Sequence, residues 1–300
     1  MYYARQISDP TVKIPPLLDE LERDHANSIS IVFPIYTDGV SANTVHTGPD
    51  TPSDAALSYL VGQAHARGMA VLLRPLLDEA NLTATDWRGS IQPTSVSGWF
   101  DSYQSLTVHY GQLAQTLRVE TFSIGSELNS MEGYPNSWRR LIDAMRAGYR
   151  GRITYSANWQ GYTTTFWSAL DFISFDAYFP LNAASPTASD LALAWAPALE
   201  EIGRAKASYG KPVVFTEVGV QARANAYRTP WVRNPNAPLD LAEQAAYYSG
   251  TCQATRGVIS GLYWWDVYLQ PPADPLHDGD YTPLGKPAED AMRRCFAAGS

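Results

Sequence analysis

Two glutamates each stand at the end of a strongly apolar stretch of the chain. Glu127 follows Thr121–Gly125 (TFSIG), and Glu217 lies within Val213–Val218 (VVFTEV). Burial of a carboxylate is costly unless the group is paired, so such residues usually have a partner or a chemical task. Two carboxylates that face each other can cleave a glycosidic bond, one as the proton donor and the other as the nucleophile. The alternative is that each glutamate forms an ion pair with an arginine such as Arg74.

Polar and aromatic side chains stand at the ends of nearly all the other apolar stretches. Tyr and Trp have flat apolar faces and a polar edge, which suits stacking on sugar rings. The chain contains nine Trp and 18 Tyr, more than a core of this size needs. The alternative is that these rings fill gaps between helices and sheet. The candidate ligand contacts at the ends of the apolar stretches are Tyr36, Arg74, Ser126, Asn158, Trp159, Asp176, Tyr178, Trp264 and Trp265.

Two loops are long and polar enough to build a cleft. The segment Tyr227–Pro238 (YRTPWVRNPNAP) contains Trp231, which is a candidate for stacking at an outer subsite or for ordinary loop packing. The segment Leu82–Ser97 is also long and polar. The aromatic and basic residues in or next to it are Trp87, Arg88 and Trp99. Long loops on one face favour a polymeric ligand over a small one.

Short apolar runs alternate along the chain with longer helical patterns, which is typical of repeated βα units around a parallel sheet. We therefore predict a single α/β domain over residues 1–300 with the (β/α)8 barrel architecture. In such barrels the functional side chains lie at the C-terminal ends of the strands and in the loops that follow. The predicted strands are Ser28–Tyr36, Ala70–Leu76, Thr121–Gly125, Ile153–Ala157, Phe172–Tyr178, Val213–Val218 and Ile259–Trp265.

A complete barrel needs one more strand than these seven. The first predicted strand follows a predicted helix, Ile14–Asn27, which leaves only Met1–Gln6 (MYYARQ) for a preceding strand. We expect that strand to be short or degenerate. If it is missing, the sheet has open edges, which favour self-association. The other predicted helices are Ser53–Arg67, Val96–Leu117, Ser137–Ala147, Ala188–Tyr209, Leu239–Thr255 and Lys286–Ala298.

Charge and composition narrow the classes of partner. The 300 residues include 22 basic and 30 acidic side chains, a net charge of −8, and contain no basic run. Nucleic acid and membrane surfaces are therefore not expected as partners, because phosphate binding relies on clustered Lys and Arg. The apolar stretches are shorter than the roughly 20 residues of a membrane span. Met1–Gln6 lacks the features of a signal peptide, so we expect a soluble protein, either secreted or cytoplasmic.

Neither a metal nor a cofactor is expected. The five histidines are scattered, without HxH or HExxH spacing. The two cysteines, Cys252 and Cys295, lie in predicted helices near the C-terminus. They either form one disulfide between neighbouring helices or are two buried thiols, and the sequence leaves both open.

Four segments carry longer motifs: IGSELNS (Ile124–Ser130), VVFTEVG (Val213–Gly219), YWWD (Tyr263–Asp266) and DYTPLGKPAE (Asp280–Glu289). From about Ser28 to its C-terminus the chain resembles the retaining glycoside hydrolases of clan A, and most closely family 113. Members of that family are (β/α)8 enzymes, typically β-1,4-mannanases. The resemblance implies that Glu127 is the acid/base and Glu217 the nucleophile. It also implies that a tryptophan of the last strand, Trp264 or Trp265, forms the platform under the sugar.

The implied reaction is a double displacement with retention of the anomeric configuration, for which the two carboxyl groups lie about 5–5.5 Å apart. Arg74 is expected to keep Glu217 ionised, because a nearby cation favours the charged form, and Tyr178 to form a hydrogen bond with it. Two features depart from the clan pattern. Ser126 occupies the position at which many members place an Asn that binds the sugar 2-hydroxyl, and the first strand has no clear counterpart.

The leading hypothesis is a retaining glycoside hydrolase that cleaves β-linked oligosaccharides or polysaccharides, with β-1,4-mannan favoured. The alternative is a catalytically weakened or inactive carbohydrate-binding barrel that lacks the first strand. The presence of both Glu127 and Glu217 favours activity, because a decayed enzyme often loses one of the pair. A barrel enzyme that uses its carboxylates for metal-assisted chemistry is a third hypothesis, disfavoured by the lack of His and Asp clusters.

Overall fold

The computed structural model describes residues 1–4, 9–83, 85–161 and 164–299. Within these residues, no helix combines the length and the apolar character that a membrane crossing needs. The strands are β1 (Ser28–Ile35), β2 (Ala70–Leu77), β3 (Thr121–Ser126), β4 (Arg152–Asn158), β5 (Ile173–Asp176), β6 (Val213–Val218) and β7 (Gly261–Trp264). The α-helices are α1 (Pro10–Arg23), α2 (Asp54–His65), α3 (Val96–Leu117), α4 (Pro135–Gly148), α5 (Ala188–Ala194), α6 (Ala196–Tyr209), α7 (Leu241–Thr255) and α8 (Pro287–Ala297).

The chain forms two compact units. The N-terminal unit comprises Tyr2–Pro10 and Ser28–Asp176, and the C-terminal unit comprises Met1, Thr11–Asn27 and Ala177–Ser300. Each of the seven predicted strands is present, with ends that shift by one to two residues in most cases. The apolar runs thus located the strands correctly, because both faces of a parallel sheet are covered by helices and its strands are continuously apolar.

In the N-terminal unit, β1 to β5 pair in parallel in the order of the chain. Every residue of β3 is buried. Small hydroxyl side chains lie among the apolar ones and satisfy each other: Ser123 Oγ is 3.0 Å from Ser156 Oγ, and Thr154 Oγ1 is 2.9 Å from Ser174 Oγ. These short side chains fit the interior of a strongly twisted sheet without leaving a buried donor unpaired.

The N-terminal segment makes one strand-like contact with β1. Tyr2 forms an isolated parallel bridge with Val32, and Tyr3 N donates to Val32 O at 2.6 Å. Among the described residues of the predicted Met1–Gln6 segment, the pairing extends no further than this bridge, and Arg5 and Gln6 lie outside the described residues. In the described part of this segment, the first strand therefore consists of a single bridge to β1.

In the C-terminal unit, β6 pairs in parallel with β7. The prediction of one helix over Ala188–Tyr209 was wrong, because the helix is interrupted at Trp195 between α5 and α6. Pro197 is the cause: it has no N–H for the carbonyl of Leu193, and its ring collides with that carbonyl in a continuous helix. The break places the Trp195 indole against α7, where its Nε1 donates to Thr251 Oγ1 at 3.0 Å.

A disulfide joins the last two helices. Cys252 of α7 is bonded to Cys295 of α8, with a Cα–Cα distance of 5.8 Å. This settles the alternative that the sequence left open. The bridge closes a loop of 43 residues, and closing a loop of that length is expected to stabilise the fold by about 4 kcal/mol through the entropy of the unfolded chain.

Candidate active site

Glu127 occupies a strained turn directly after β3. Its φ angle is +51°, in the left-handed region of the backbone that residues other than Gly, Asn and Asp rarely adopt. The register between β3 and β4 shifts between Ser123 and Ser126, just before this turn. Such irregularities re-aim side chains next to active sites. The conformation is held by the backbone, because Glu127 N donates to Ser156 O at 2.8 Å.

Both carboxylate oxygens of Glu127 accept hydrogen bonds within the N-terminal unit. Arg88 Nη1 donates to Oε2 at 2.8 Å, and Asn158 Nδ2 donates to Oε1 at 2.8 Å. The Glu127 side chain is 13% exposed. An ion pair and an amide therefore hold the carboxyl group from two sides, while one part of it remains accessible to a ligand.

Arg88 is the main residue whose part in this site the sequence did not reveal. It is held by three groups at once: Nε donates to Leu77 O at 2.9 Å, Nη2 pairs with Glu79 at 3.2 Å, and Nη1 pairs with Glu127. The sequence placed Arg88 only in a polar loop near a cleft. The available signal was that this loop follows β2 and so belongs to the same sheet edge as Glu127.

Arg74 pairs with a residue other than Glu127. It is fully buried in β2, and its Nη2 donates to Asp176 Oδ2 at 2.8 Å and to Ser126 Oγ at 2.9 Å. The alternative of an ion pair with an arginine thus holds for Glu127, but the arginine is Arg88 rather than Arg74. Because Ser126 Oγ accepts from Arg74, its own O–H proton is left to donate. The expected effect of Arg74 on Glu217 stays a prediction.

The other candidates of the N-terminal unit lie in different surroundings. Tyr36 follows β1, is buried, and stacks on His46 with 6.4 Å between ring centroids. Burial, together with Asp78 and Asp50, raises the pKa of Tyr36 to about 12, so it is a neutral hydroxyl at physiological pH. Trp159 follows β4 and is partly exposed. Trp99 belongs to the core instead, because it is fully buried in α3 and stacks on Tyr103.

Glu217 is the acidic residue at the end of β6 in the C-terminal unit. It is 7% exposed, and its Oε2 accepts a hydrogen bond from the Tyr178 hydroxyl at 2.7 Å. The β6–β7 register shifts between Phe215 and Val218, so Glu217, like Glu127, lies next to a sheet irregularity. Each of the two glutamates thus ends a buried strand and is held by a neutral donor, Asn158 for one and Tyr178 for the other.

A group of three residues supports Tyr178, and the sequence did not single out any of them as site residues. The ring of Tyr281 packs edge-on against Tyr178, with centroids 6.5 Å apart. Arg233 lies over the Tyr281 ring at 5.0 Å, and its Nη1 donates to Oδ1 and Oδ2 of Asp280 at 2.7 and 2.8 Å. Burial opposes ionisation of Asp280, but the charge and hydrogen bonds of Arg233 lower its pKa. The available signal was the DYTPLG motif, which contains Asp280 and Tyr281.

The two consecutive tryptophans of β7 have different surroundings. Trp264 is buried and stacks on Tyr248 of α7, with centroids 3.9 Å apart. Trp265 is partly exposed, and its peptide bond to Asp266 is cis. Gly219 allows the close approach of Trp265, since a Cβ at that position would lie 2.2 Å from Trp265 O.

Two further residues of this unit bear on the site. Asp266 is 2% exposed, and burial raises its pKa to about 7. Trp231 is 46% exposed in the loop that follows β6, so its ring is available to a ligand. Among the residues that the structure describes, no group of three His, Cys, Asp or Glu side chains is arranged to hold a metal ion.

Comparison with known proteins places this geometry in a family. The model of Glycoside Hydrolase Family 113 matches residues 12–286. The GH113 β-mannanase AaManA from Alicyclobacillus acidocaldarius, solved in complex with ManMIm, is 26% identical with a TM-score of 0.89, over 100% of this chain and 97% of that one. A GH113 β-1,4-mannanase solved as a complex is 27% identical with a TM-score of 0.87, over 97% and 94% of the two chains.

More distant structures share the fold alone. The endo-β-1,4-mannanase from Thermotoga petrophila is 14% identical with a TM-score of 0.67, over 100% of this chain and 75% of that one. A search of curated proteins finds no match. The likeness over the whole chain shows that the fold class is α/β of the (β/α)8 type, with seven strands in the described part of the chain and the first strand reduced.

Proposed function

The chain belongs to glycoside hydrolase family 113 and is thus an O-glycosyl hydrolase, and from that premise we propose that it cleaves β-1,4-linked mannan or manno-oligosaccharides with retention. The observation that carries the proposal is the matched pair of glutamates. Glu127 and Glu217 each end a buried strand, next to a register shift, and each has a fixed hydrogen-bond donor. The mannan substrate is inferred from the β-mannanases to which the chain is similar.

The reaction is a double displacement in two steps. In the first step Glu217 attacks the anomeric carbon and forms a glycosyl-enzyme, while Glu127 protonates the departing glycosidic oxygen. In the second step Glu127 accepts a proton from water, which attacks the same carbon and releases Glu217. The proton that Glu127 donates first is recovered in the second step, so the cycle consumes no external acid.

The residues around Glu217 prepare it for attack. The Tyr178 O–H donates to Oε2 and thereby restricts the rotation of the carboxylate. A hydrogen bond to the charged form favours that form. At Glu127, Arg88 and Asn158 hold the carboxyl group in a turn of unusual backbone conformation.

The substrate contacts follow from side-chain exposure. We assign Trp265 as the platform under the sugar at the cleavage site, because Trp264 is occupied by Tyr248. Trp231 is the candidate for an outer subsite. The polar and aromatic candidates for the sugar hydroxyls are Ser126, Asn158, Trp159, Tyr36 and Tyr178. The fully buried Arg74 and Asp176 form an ion pair.

The alternative of an inactive carbohydrate-binding barrel has no support. It depended on the loss of the first strand, yet the family match and the whole-chain likeness to β-mannanases hold with that strand reduced to a bridge. Both glutamates of the proposed pair are present with their partners.

A hydrolysis screen tests the proposal. The wild type, Glu127→Ala, Glu217→Ala and the exposed-glutamate control Glu200→Ala are assayed on mannan, glucan, xylan and aryl β-mannosides. We expect mannan hydrolysis by the wild type and the control, and a loss of at least about 1,000-fold in the two site variants. A 2-deoxy-2-fluoro-mannosyl fluoride is expected to label Glu217, as identified by peptide mass spectrometry. Hydrolysis that is undiminished in both variants, or an inverted product anomer, would refute it.

A further inference from the structure

Another glutamate of the N-terminal unit, Glu132, lies five residues after Glu127 and takes no part in the reaction described above. It follows a short 3-10 turn, Asn129–Met131, and precedes α4. Its Oε1 accepts a hydrogen bond from the Tyr155 hydroxyl at 2.9 Å. Its Oε2 lies 2.7 Å from Thr164 Oγ1. This carboxyl group is partly buried between two hydroxyls, so the positions of the protons determine which of the contacts are hydrogen bonds.

The single proton of the Tyr155 hydroxyl takes part in one hydrogen bond. Tyr155 OH accepts a hydrogen bond from Leu128 N at 2.8 Å, so its own proton is directed to Glu132 Oε1. That oxygen is therefore an acceptor, the carbonyl-like oxygen of the carboxyl group.

The hydroxyl of Thr164 has two acceptors within reach and one proton. Thr164 Oγ1 lies 2.7 Å from Glu132 Oε2 and 3.0 Å from Gly161 O. If Glu132 is ionised, only one of these contacts is a hydrogen bond. If Glu132 is protonated on Oε2, it donates to Thr164, and Thr164 donates to Gly161 O, so every contact is satisfied.

The electrostatic surroundings agree with the neutral form. Burial raises the pKa of Glu132, and this outweighs the hydrogen bonds from Thr164 and Tyr155, which lower it. The titratable groups that face it are Tyr155 from β4 and, beyond Tyr155, Tyr103 from α3; burial and Glu132 itself raise the pKa of Tyr155 far above its ordinary value, so it is neutral. No cation contributes to the pKa shift of Glu132.

The same contacts connect Glu132 to the turn that contains Glu127 and to Asn158, which holds its carboxylate. On one side, Tyr155 receives the N–H of Leu128, the residue that follows Glu127 in its left-handed turn. On the other side, Thr164 binds Gly161 O, and Gly161 N donates to Asn158 O at 2.6 Å. Asn158 in turn donates to the Glu127 carboxylate.

We propose that Glu132 is a neutral carboxylic acid that positions Glu127, by linking the turn after β3 to the loop after β4 through Tyr155 and Thr164. The proposal rests on the proposed role of Glu127 as acid/base. Glu132 does not touch the reacting atoms and is a positioning residue. Its ionisation breaks the link to Gly161 and loosens the support of Asn158.

The test compares Glu132→Gln with Glu132→Ala. The amide of Glu132→Gln accepts from Tyr155 and donates to Thr164, as the neutral acid does, so kcat is expected to stay within about twofold of the wild type. Glu132→Ala is expected to lose about tenfold or more in kcat on aryl mannosides with poor leaving groups, which need acid catalysis, and much less with dinitrophenol as leaving group. KM is expected to change little in either variant.

A second measurement reports the proton directly. A carboxyl group whose pKa is raised by folding makes the protein less stable as pH rises above its ordinary value of 4.5. Gln does not titrate, so the melting temperature of Glu132→Gln minus that of the wild type is expected to rise with pH from about 4.5 upward. The infrared difference spectrum of the two proteins is expected to show a carboxylic acid C=O band at neutral pH.

Each outcome decides the proposal. If Glu132→Gln loses as much activity as Glu132→Ala, or the stability difference is independent of pH and the acid band is absent, Glu132 is ionised and the proposal is wrong. If Glu132→Ala does not fold, Thr164→Val takes its place and is expected to show the same leaving-group dependence. If the wild type hydrolyses no glycan, the proposed function fails, while the stability and infrared data still decide the protonation of Glu132.

Discussion

The Tyr178 hydroxyl and Glu217 Oε2 lie 2.7 Å apart, so the phenol donates its proton to one oxygen of the proposed nucleophile. The two residues are 39 positions apart in the chain. The ring of Tyr281 packs edge-on against Tyr178, and the Tyr281 hydroxyl donates to Pro230 O at 2.5 Å. The geometry of the nucleophile therefore depends on the loop that contains Trp231.

Removal of the Tyr178 hydroxyl is expected to slow the reaction. A hydrogen bond to a charged group contributes about 1.5–3 kcal/mol, so Tyr178→Phe is expected to lower kcat by about 10- to 100-fold with a smaller change in KM. Steady-state kinetics on manno-oligosaccharides measures both constants. Tyr149→Phe is the matched control, because its hydroxyl also donates one buried hydrogen bond, to Val119 O at 2.8 Å, before the start of β3. An equal loss in both variants would contradict a specific role for Tyr178.

The ion pair of Arg88 with Glu127 is expected to matter for general acid catalysis. Arg88→Met removes the donor to Oε2 and leaves the carboxyl group held by Asn158 alone, so kcat is expected to fall by about 10- to 100-fold on poor leaving groups. The check is a series of aryl mannosides of increasing leaving-group quality, in which the loss should shrink. Arg140→Met on the exposed face of α4 should behave as the wild type. A loss that is uniform across the series speaks against this role.

Substitutions of the consecutive residues Trp264 and Trp265 are expected to affect different properties, stability for Trp264 and substrate turnover for Trp265. Trp265→Ala is expected to lower kcat/KM by about tenfold or more with little effect on Tm, because its partly exposed ring is the proposed platform for the sugar. Trp264→Ala is expected to destabilise the fold by about 3–5 kcal/mol, because it removes a buried ring that stacks on Tyr248. Calorimetry and kinetics on both variants are the measurements. A reversed result would exchange the assignments.

Asp266 is expected to make the protein less stable as pH rises. Burial raises its pKa from 3.8 to about 7, against the opposing effect of Arg233. The folded state therefore holds a proton that the unfolded state releases between about pH 4 and about pH 7, and stability falls across that window by up to about 4 kcal/mol. Asp266→Asn does not titrate there, so its stability relative to the wild type is expected to rise with pH over the same window.

Chemical denaturation at a series of pH values measures this difference. Asp143→Asn, an exposed carboxylate on α4, is the control and is expected to give a constant difference from the wild type. A constant difference for Asp266→Asn as well would show that the Asp266 carboxyl group is ionised in the folded protein.

The positions of the strands and of the two glutamates could be read from the chain, because both depend on local composition. A buried parallel strand is a continuous apolar run, and a carboxylate at its end stands out against that background. The predicted helix Ala188–Tyr209 is interrupted for a local reason as well: its apolar pattern continues through Trp195, but Pro197 cannot form the helical hydrogen bond.

The partners of the glutamates depended on the tertiary structure. From the sequence, Arg74 and Arg88 were both possible partners of Glu127. The register of β2 against β3 and the path of the following loop decide that Arg88 pairs with Glu127 and Arg74 with Asp176. The chain itself thus determined the family, the strands and the acidic pair, which local patterns encode. Which donor holds each carboxylate, which tryptophan stacks on Tyr248, and the pairing of Cys252 with Cys295 were decided by contacts between residues distant in sequence. Such contacts follow from packing, and no spacing along the chain specifies them.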